Sequence, residues 1–270
     1  MRHACEWKLK GIVAFWRNWQ KVEPRVFKDT EISDADAARY SLLLVGGPGE
    51  NAVAKRLAGR IPLEVRKDAV VVDGKAFPAT DAGVSLVYPS PLNTERYVAV
   101  LAGTSPGGLW FADWQNAEWD FQIVDGRSAA AATLDPPGRF PERGRIASGS
   151  FDGAWRLDEA FVVRGDEALR AKATLMSPPK PVTLPVAALD RVVGTYQIPG
   201  GPRIRVYREG SRLMGGQEGQ GGGELVPESE AQYFVLGEGF RVAFEKDAAG
   251  RVAVMVVKVP GQEMRANRVE

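Results

Sequence analysis

The stretch of this sequence most suggestive of chemistry is GTSPG at residues 103–107, which follows the apolar run from Tyr97 to Ala102. A strand that leads into a G-x-S-x-G turn is the sequence form of a nucleophile elbow, in which the central serine attacks an acyl carbon. Ser105 is therefore the first candidate for a catalytic residue, and its neighbours decide whether the chemistry is feasible.

Two features of the sequence argue against attack by Ser105. The next residue is Pro106, which has no backbone N–H to donate to an oxyanion, and losing one such donor typically costs about 2.7–4 kcal/mol of transition-state stabilisation. The chain has a single histidine, His3, which precedes the serine, so no base follows it in the order that an elbow requires. The sequence instead predicts that Ser105 caps a helix whose first residue is Pro106.

A second glycine-rich turn, GGPGEN at residues 46–51, follows the apolar run from Ser41 to Val45 and opens a predicted helix. Backbone amides at such a position can hold an anion, which makes Gly46, Gly47 and Gly49 weak anion-binding candidates. The turn lacks both the third glycine of a dinucleotide fingerprint and the Gly-Lys-Ser/Thr of a P-loop. The alternative interpretation is a tight strand-to-helix turn.

Composition limits the classes of partner and cofactor. The 270 residues include 35 Lys+Arg and 34 Asp+Glu, and this net charge of +1 predicts binding to neither nucleic acid nor an anionic membrane. One cysteine and one histidine make a disulfide, a zinc site or a redox site improbable, so no metal and no cofactor is expected. The sequence contains neither a signal-peptide pattern nor an apolar stretch of membrane-spanning length, and it leaves the cellular compartment unknown.

The pattern of elements predicts an open α/β sheet domain followed by a mostly antiparallel β domain. An amphipathic helix near the N-terminus carries Trp7, Ile12, Phe15, Trp16 and Trp19. Strands alternate with helices through residue 126, which predicts the α/β domain at 1–126. A proline-rich bridge with short strands is predicted at 127–185, and an antiparallel meander, in the form of a partly open barrel, at 186–270.

Aromatic residues of the predicted β domain are candidates for a ligand pocket. A partly open barrel would offer an apolar cavity, and its lining would come from alternating strand positions. The alternative is that the same side chains fill a closed core. The pocket candidates are Tyr196, Tyr207, Tyr233, Phe234 and Phe244.

Ordered motifs in the first half of the chain resemble a known family. They include KDTEISDADAARYSLLLVGGPGENAVAKRLAGRIPLEV, DAGVSLVYPSPLNTERYVAVLAGTSPGGLW and DFQIVDG. These segments are similar to the region that follows the catalytic domain in bacterial prolyl-oligopeptidase-like peptidases and related esterases of the α/β-hydrolase family. The resemblance covers roughly residues 10–126 and implies that the nucleophile, acid and histidine lie in an upstream domain, so no catalytic residue is assigned to this chain.

Residues 186–270 resemble the small β domain of unknown function found at the C-terminus of β-lactamase-like serine hydrolases, chiefly through LDRVVGTY and the FEKDAAG hairpin. Together the two resemblances imply a non-catalytic accessory portion of a peptidase or esterase, and the resembled families are often periplasmic or secreted. A serine hydrolase catalytic domain is the implied partner, met through the N-terminal helix. The alternative is a stand-alone module that binds a small ligand or a protein through its β domain.

Overall fold

The computed structural model of the chain describes residues 1–112, 119–127, 144–173, 175–220, 222–237, 240–259 and 262–269. Its backbone divides into two compact units. Unit 1 consists of Met1–Leu9 and Arg25–Pro178, and unit 2 consists of Lys10–Pro24 and Pro179–Glu270. The predicted fold class is confirmed, since a mixed α/β sheet is followed by an antiparallel barrel.

The helices are short except for the first. Helix α1 spans Arg2–Phe15 and continues into one π-helical turn, Trp16–Gln20, which ends at Lys21 in the left-handed region with φ 54°. Of the α1 residues, Ile12 is buried. The other helices within the described residues are α2 (Asp34–Arg39), α3 (Ala52–Leu57), α4 (Pro106–Phe111), α5 (Glu167–Lys172) and α6 (Val186–Asp190).

Unit 1 contains a six-stranded sheet in the order β1-β6-β5-β7-β8-β9 and a separate three-stranded sheet in the order β2-β3-β4. Among the described strands of unit 1, β1 and β6 run parallel and the other pairs are antiparallel. The strand bounds are β1 Leu42–Val45, β2 Leu63–Val65, β3 Ala69–Val72, β4 Lys75–Pro78, β5 Gly83–Ser90, β6 Asn93–Gly103, β7 Phe121–Val124, β8 Arg145–Phe151 and β9 Leu157–Arg164.

One face of the six-stranded sheet carries the core of unit 1. Val84, Val100 and Ile123 lie on this face and are at most 1% exposed. Because side chains alternate along a strand, the neighbouring positions lie on the opposite face, where Val87 on β5 and Val163 on β9 remain 37% and 39% exposed. The sheet is thus built from one well-packed face and one face that is apolar but partly open.

The connectivity of this sheet is more antiparallel than alternating strands and helices suggest. β5 and β6 pair as a long antiparallel hairpin through the PSPLNTE turn, although the sequence pattern predicts a sheet of alternating strands and helices. β8 and β9 extend the same sheet, although both fall in the predicted proline-rich bridge. Hairpin pairing needs only a short turn, whereas parallel pairing needs a crossover, and the β5–β6 and β8–β9 connections are short.

Unit 2 holds an eight-stranded antiparallel barrel that closes through pairing of its first and last strands. The sequence predicts a partly open barrel, and the structure differs because Tyr196 and Gln197 on the first strand pair with Arg268 and Asn267 on the last. The strands are β10 Gly194–Gln197, β11 Arg203–Glu209, β12 Arg212–Gln217, β13 Gly223–Pro227, β14 Gln232–Val235, β15 Arg241–Lys246, β16 Val252–Val259 and β17 Gln262–Arg268.

Candidate functional site

Ser105 lies where β6 leads into α4 and serves as the N-cap of that helix. Its backbone is extended, with φ −150° and ψ 169°, and Pro106 occupies the first helical turn. The hydroxyl Oγ accepts a hydrogen bond from the Gly108 N–H at 3.0 Å and donates to the Asp81 carboxylate. Both hydrogen-bonding roles of the hydroxyl are thus taken by the fold, and the predicted cap is present.

The turn that holds Ser105 is fixed by close backbone packing. A Cβ on Gly103 would lie 2.2 Å from the Leu109 nitrogen, and a Cβ on Gly108 would lie 2.2 Å from the Ala82 carbonyl oxygen. No side chain fits at these separations, so the glycines of GTSPGG allow α4 to rest directly on the ends of β5 and β6. The glycine spacing that resembles an elbow is explained by this packing.

The chain's only histidine lies on α1, where its Nε2 accepts a hydrogen bond from the Trp7 indole N–H at 2.9 Å. The hydrogen-bond partners of the Ser105 hydroxyl are Gly108 and Asp81. An aspartate can orient a base but does not replace the imidazole that would accept the serine proton. The described geometry around Ser105 is therefore that of a cap.

The glycine turn before α3 places its helix amides against protein acceptors. Asn51 is the N-cap, and its Oδ1 accepts from the N–H groups of Val53 and Ala54, both at 3.0 Å. The preceding amide, on Ala52, donates to Asp29 Oδ2 at 2.6 Å. A carboxylate of the protein thus takes the position where a bound anion would compete.

Gly46 adopts φ +100°, which the turn requires and which favours glycine. This supplies a conformational reason for the first glycine of the motif. Anion binding by Gly46, Gly47 and Gly49 stays a prediction, and it has to contend with the negative charge of Asp29 at the helix end.

Three of the pocket candidates form one aromatic cluster inside the barrel. The Phe244 ring lies 5.6 Å from the Tyr196 ring and 5.4 Å from the Tyr233 ring, measured between centroids. Tyr196 and Tyr233 are fully buried, and the Tyr196 hydroxyl donates to the Val192 carbonyl at 2.8 Å. Burial raises the pKa of Tyr196 and of Tyr233 to about 12, because desolvation disfavours the phenolate.

The other two pocket candidates differ from this cluster. Phe234 is 2% exposed, and Tyr207 is partly exposed with the Arg205 guanidinium 5.7 Å from its ring centroid. The five residues therefore do not form one surface, and three of them contribute to the packed interior of the barrel. A ligand-binding role for these aromatics stays a prediction.

The structure brings together a set of buried polar side chains on β7 and β8 that the sequence motifs do not indicate. Gln122 is 2% exposed, Ser148 is 0% exposed and Arg145 is 8% exposed. The amide O and N of Gln122, the Ser148 hydroxyl, the Arg145 Nε and the Trp119 indole nitrogen are buried without a hydrogen-bond partner. We call these four residues, Trp119, Gln122, Arg145 and Ser148, the buried polar cluster.

A neighbouring group of charges forms ion pairs, although the Arg127 Nε is also buried without a hydrogen-bond partner. Asp125, which is 4% exposed, accepts from Arg127 Nη1 at 2.6 Å and from Arg170 Nη2 at 2.7 Å. Arg170 also donates to the carbonyl oxygens of Gly144 and Arg145 at 3.1 and 2.7 Å. This ion-pair group fixes the start of β8 immediately beside the buried polar cluster.

The signal for the buried polar cluster in the sequence is weak. Gln122 interrupts the apolar strand FQIV, and Ser148 lies within RIASGSF, whose small residues do not indicate burial. An unpaired polar residue in a short apolar strand is easily interpreted as a solvent-facing position. Only the cross-strand register shows that these positions face one another.

Within the described ranges, no group of three or more His, Cys, Asp or Glu side chains is placed to hold a metal ion. Over the same part of the chain, no helix combines the length and apolar character needed to cross a membrane.

Comparison with known proteins identifies no family for this chain. No protein-family description matches, and no curated protein matches either. Among solved structures, the crystal structure of SurE with D-Leu is similar at 20% sequence identity and a TM-score of 0.29. That similarity covers 40% of this chain and 29% of the SurE chain, and it is too slight to inform fold or function.

Proposed function

We propose that this chain is a non-catalytic accessory part of a serine hydrolase of the peptidase or esterase type. In this role it packs beside a catalytic domain that supplies the nucleophile, the acid and the histidine. The proposal is supported by the ordered sequence motifs that resemble accessory regions of such enzymes. The observation that supports a non-catalytic role is that the Ser105 hydroxyl is hydrogen-bonded to the Gly108 N–H and to the Asp81 carboxylate.

The first experiment tests the absence of a nucleophile. The purified chain is treated with a fluorophosphonate, which reacts covalently with activated serines, and is assayed for hydrolysis of p-nitrophenyl butyrate. We expect no labelled peptide containing Ser105 and no hydrolysis that Ser105→Ala removes, because an unactivated hydroxyl stays protonated. A fluorophosphonate adduct on Ser105 would overturn the proposal.

The second experiment tests the partner. The proposal assigns the contact to α1, on which Trp7 and Phe15 are only partly buried. The tagged chain is used to capture proteins from a native lysate of its source cells after labelling with a biotinylated fluorophosphonate. We expect a co-purifying protein that carries the probe, because only a serine hydrolase with an intact active site reacts with it.

A matched pair of variants locates the contact. Trp7→Ala removes apolar surface from α1, whereas Arg2→Ala removes an exposed polar side chain from the same helix. We expect Trp7→Ala to reduce recovery of the labelled protein at least tenfold and Arg2→Ala to leave it unchanged. Capture of unlabelled proteins only, or equal recovery with both variants, would contradict an accessory role exerted through this helix.

A further inference from the structure

Arg145 is a buried cation that the described part of the chain leaves without a counter-ion. The residue is 8% exposed, and its Nε is buried there without a hydrogen-bond partner. The Arg145 Cζ lies 5.6 Å from the centroid of the Trp119 ring. Buried arginines are ordinarily paired, because removing an unpaired charge from water is strongly unfavourable.

The buried Asp125 carboxylate forms its ion pairs with other arginines. Asp125 accepts from both Arg127 and Arg170, and two guanidinium groups already outnumber its single negative charge. Among the described residues, Arg145 adds a third guanidinium group beside the two that share the Asp125 carboxylate. This excess of positive charge among the described groups favours binding of a negatively charged ligand.

The cross-strand register places Arg145 on the same face as Gln122 and Ser148. Gln122 is directly opposite Ser148, and Val124, two residues beyond Gln122, is opposite Arg145. Residues i and i+2 share a face, so Gln122, Ser148 and Arg145 point to the same side of the sheet. That side is opposite to the packed core, to which Ile123 and Ala147 belong.

A β-bulge brings Arg145 to this face. The register shifts between Ile123 and Val124, so that Ile146 and Ala147 both contribute to the core and Arg145 points away from it. Bulges commonly re-aim a side chain next to a functional site. Without the extra residue, alternation would turn Arg145 toward the core.

We propose that the buried polar cluster binds a small hydroxycarboxylate. The Arg145 guanidinium, the Trp119 indole N–H and the Ser148 hydroxyl are donors, which suit the two oxygens of a carboxylate. Gln122 offers an unused amide carbonyl, which requires a donor and so matches a hydroxyl on the ligand. This inference goes beyond the accessory function and does not rest on it.

Partly exposed residues of β9 lie next to the cluster. On β9, Val163 is directly opposite Ser148 and is 39% exposed, and Phe161, two residues earlier, is 50% exposed. The cluster therefore lies one strand away from an open part of the same face.

The test uses the whole chain and calorimetric titration with three small molecules. Lactate carries a carboxylate and a hydroxyl, propionate lacks the hydroxyl, and lactamide lacks the charge. We expect lactate to bind about fivefold to tenfold more tightly than propionate, since it makes one more hydrogen bond. Lactamide should show no measurable binding.

Variants assign the binding to the cluster. Arg145→Gln should weaken lactate binding at least 100-fold. Arg164→Gln, which removes an exposed guanidinium from the neighbouring strand β9, should leave lactate binding unchanged. Gln122→Leu should make lactate and propionate bind equally, because only the hydroxyl contact is lost. Ser148→Ala is the mildest substitution and should weaken the binding of both lactate and propionate severalfold.

Each other outcome counts against the proposal. If millimolar lactate and propionate give neither heat nor a shift of the melting temperature, the site does not bind carboxylates. If lactate binds but Arg145→Gln and Arg164→Gln behave alike, binding occurs elsewhere. The melting curve of each ligand-free variant shows that it is folded, and Ser148→Ala keeps the test decisive if Arg145→Gln does not fold.

Discussion

Replacement of Tyr196 by phenylalanine distinguishes a packed barrel interior from a ligand pocket. The Tyr196 hydroxyl is buried and donates to the Val192 carbonyl, and burial raises its pKa from 10.0 to about 12. A tyrosine in a water-filled pocket would ionise close to its ordinary pKa. The dependence of stability on alkaline pH therefore reports the environment of the side chain.

The sign of the effect follows from the raised pKa. In the unfolded chain the phenol loses its proton near pH 10, whereas in the folded barrel it keeps the proton to about pH 12. The stabilisation is fully present below pH 10 and is lost as the pH rises from 10 toward 12. At pH 11 the loss attributable to this one tyrosine is about 1.4 kcal/mol, the value of one pKa unit.

Tyr196→Phe removes this loss at the expense of one hydrogen bond. At pH 8 we expect the variant to be about 1 kcal/mol less stable than the parent, because the hydroxyl no longer meets the Val192 carbonyl. Between pH 8 and pH 11 the parent should lose about 1.4 kcal/mol more than the variant. The difference in free energy of unfolding should therefore vanish or reverse at pH 11.

Urea unfolding of the whole chain at pH 8 and pH 11, followed by circular dichroism, measures these quantities. Tyr207→Phe is the control, since Tyr207 is partly exposed to solvent and the substitution removes a hydroxyl outside the buried aromatic cluster. Tyr233→Phe should behave like Tyr196→Phe, because the pKa of Tyr233 is also raised to about 12. If Tyr196→Phe and the control lose equal free energy between the two pH values, the reasoning about burial is wrong.

Three further substitutions test the packing and pairing of unit 1 by urea unfolding. Gly103→Ala should lower the free energy of unfolding by about 3 kcal/mol or more, because its Cβ would meet the Leu109 nitrogen. Gly107→Ala, whose nearest contact is a proline side-chain atom at 3.2 Å, should cost less than half as much. Equal losses would refute the packing argument. Asn51→Ala should cost about 1 kcal/mol by removing the cap of α3, and no loss would mean that the cap is dispensable. Asp125→Asn should cost on the order of 3 kcal/mol, since two guanidinium groups lose their charge partner; a neutral result would show that these guanidinium groups are satisfied by water.

Local signals in the sequence predicted the turns better than the sheet. Serine followed by proline at residues 105 and 106 indicates a helix start, because the hydroxyl replaces a missing backbone acceptor and proline fits the first turn. The same logic places a cap at Ser33, whose hydroxyl accepts from the Asp36 N–H. Such features depend on residues within one turn of each other, and adjacent sequence is enough to specify them.

Features that depend on pairing between residues far apart in the chain could not be predicted from local sequence patterns. Closure of the barrel requires Tyr196 to pair with Arg268, and no local pattern encodes that register. The buried polar cluster depends on a bulge that turns Arg145 away from the core, and a one-residue change of register reverses every side chain of a strand. The placement of β8 and β9 in the sheet depends on the same long-range pairing.

Closure of the barrel by β10 and β17 sets an order of events during folding. The paired residues of this seam are separated by about seventy positions, whereas the hairpins between consecutive strands join near neighbours, so their loop-closure entropy is smaller and they form first. During synthesis, the seam has to wait until the last strand has left the ribosome. Until then β10 and β16 both present unpaired backbone edges, and a chain stalled before β17 would expose two surfaces able to recruit strands from other molecules.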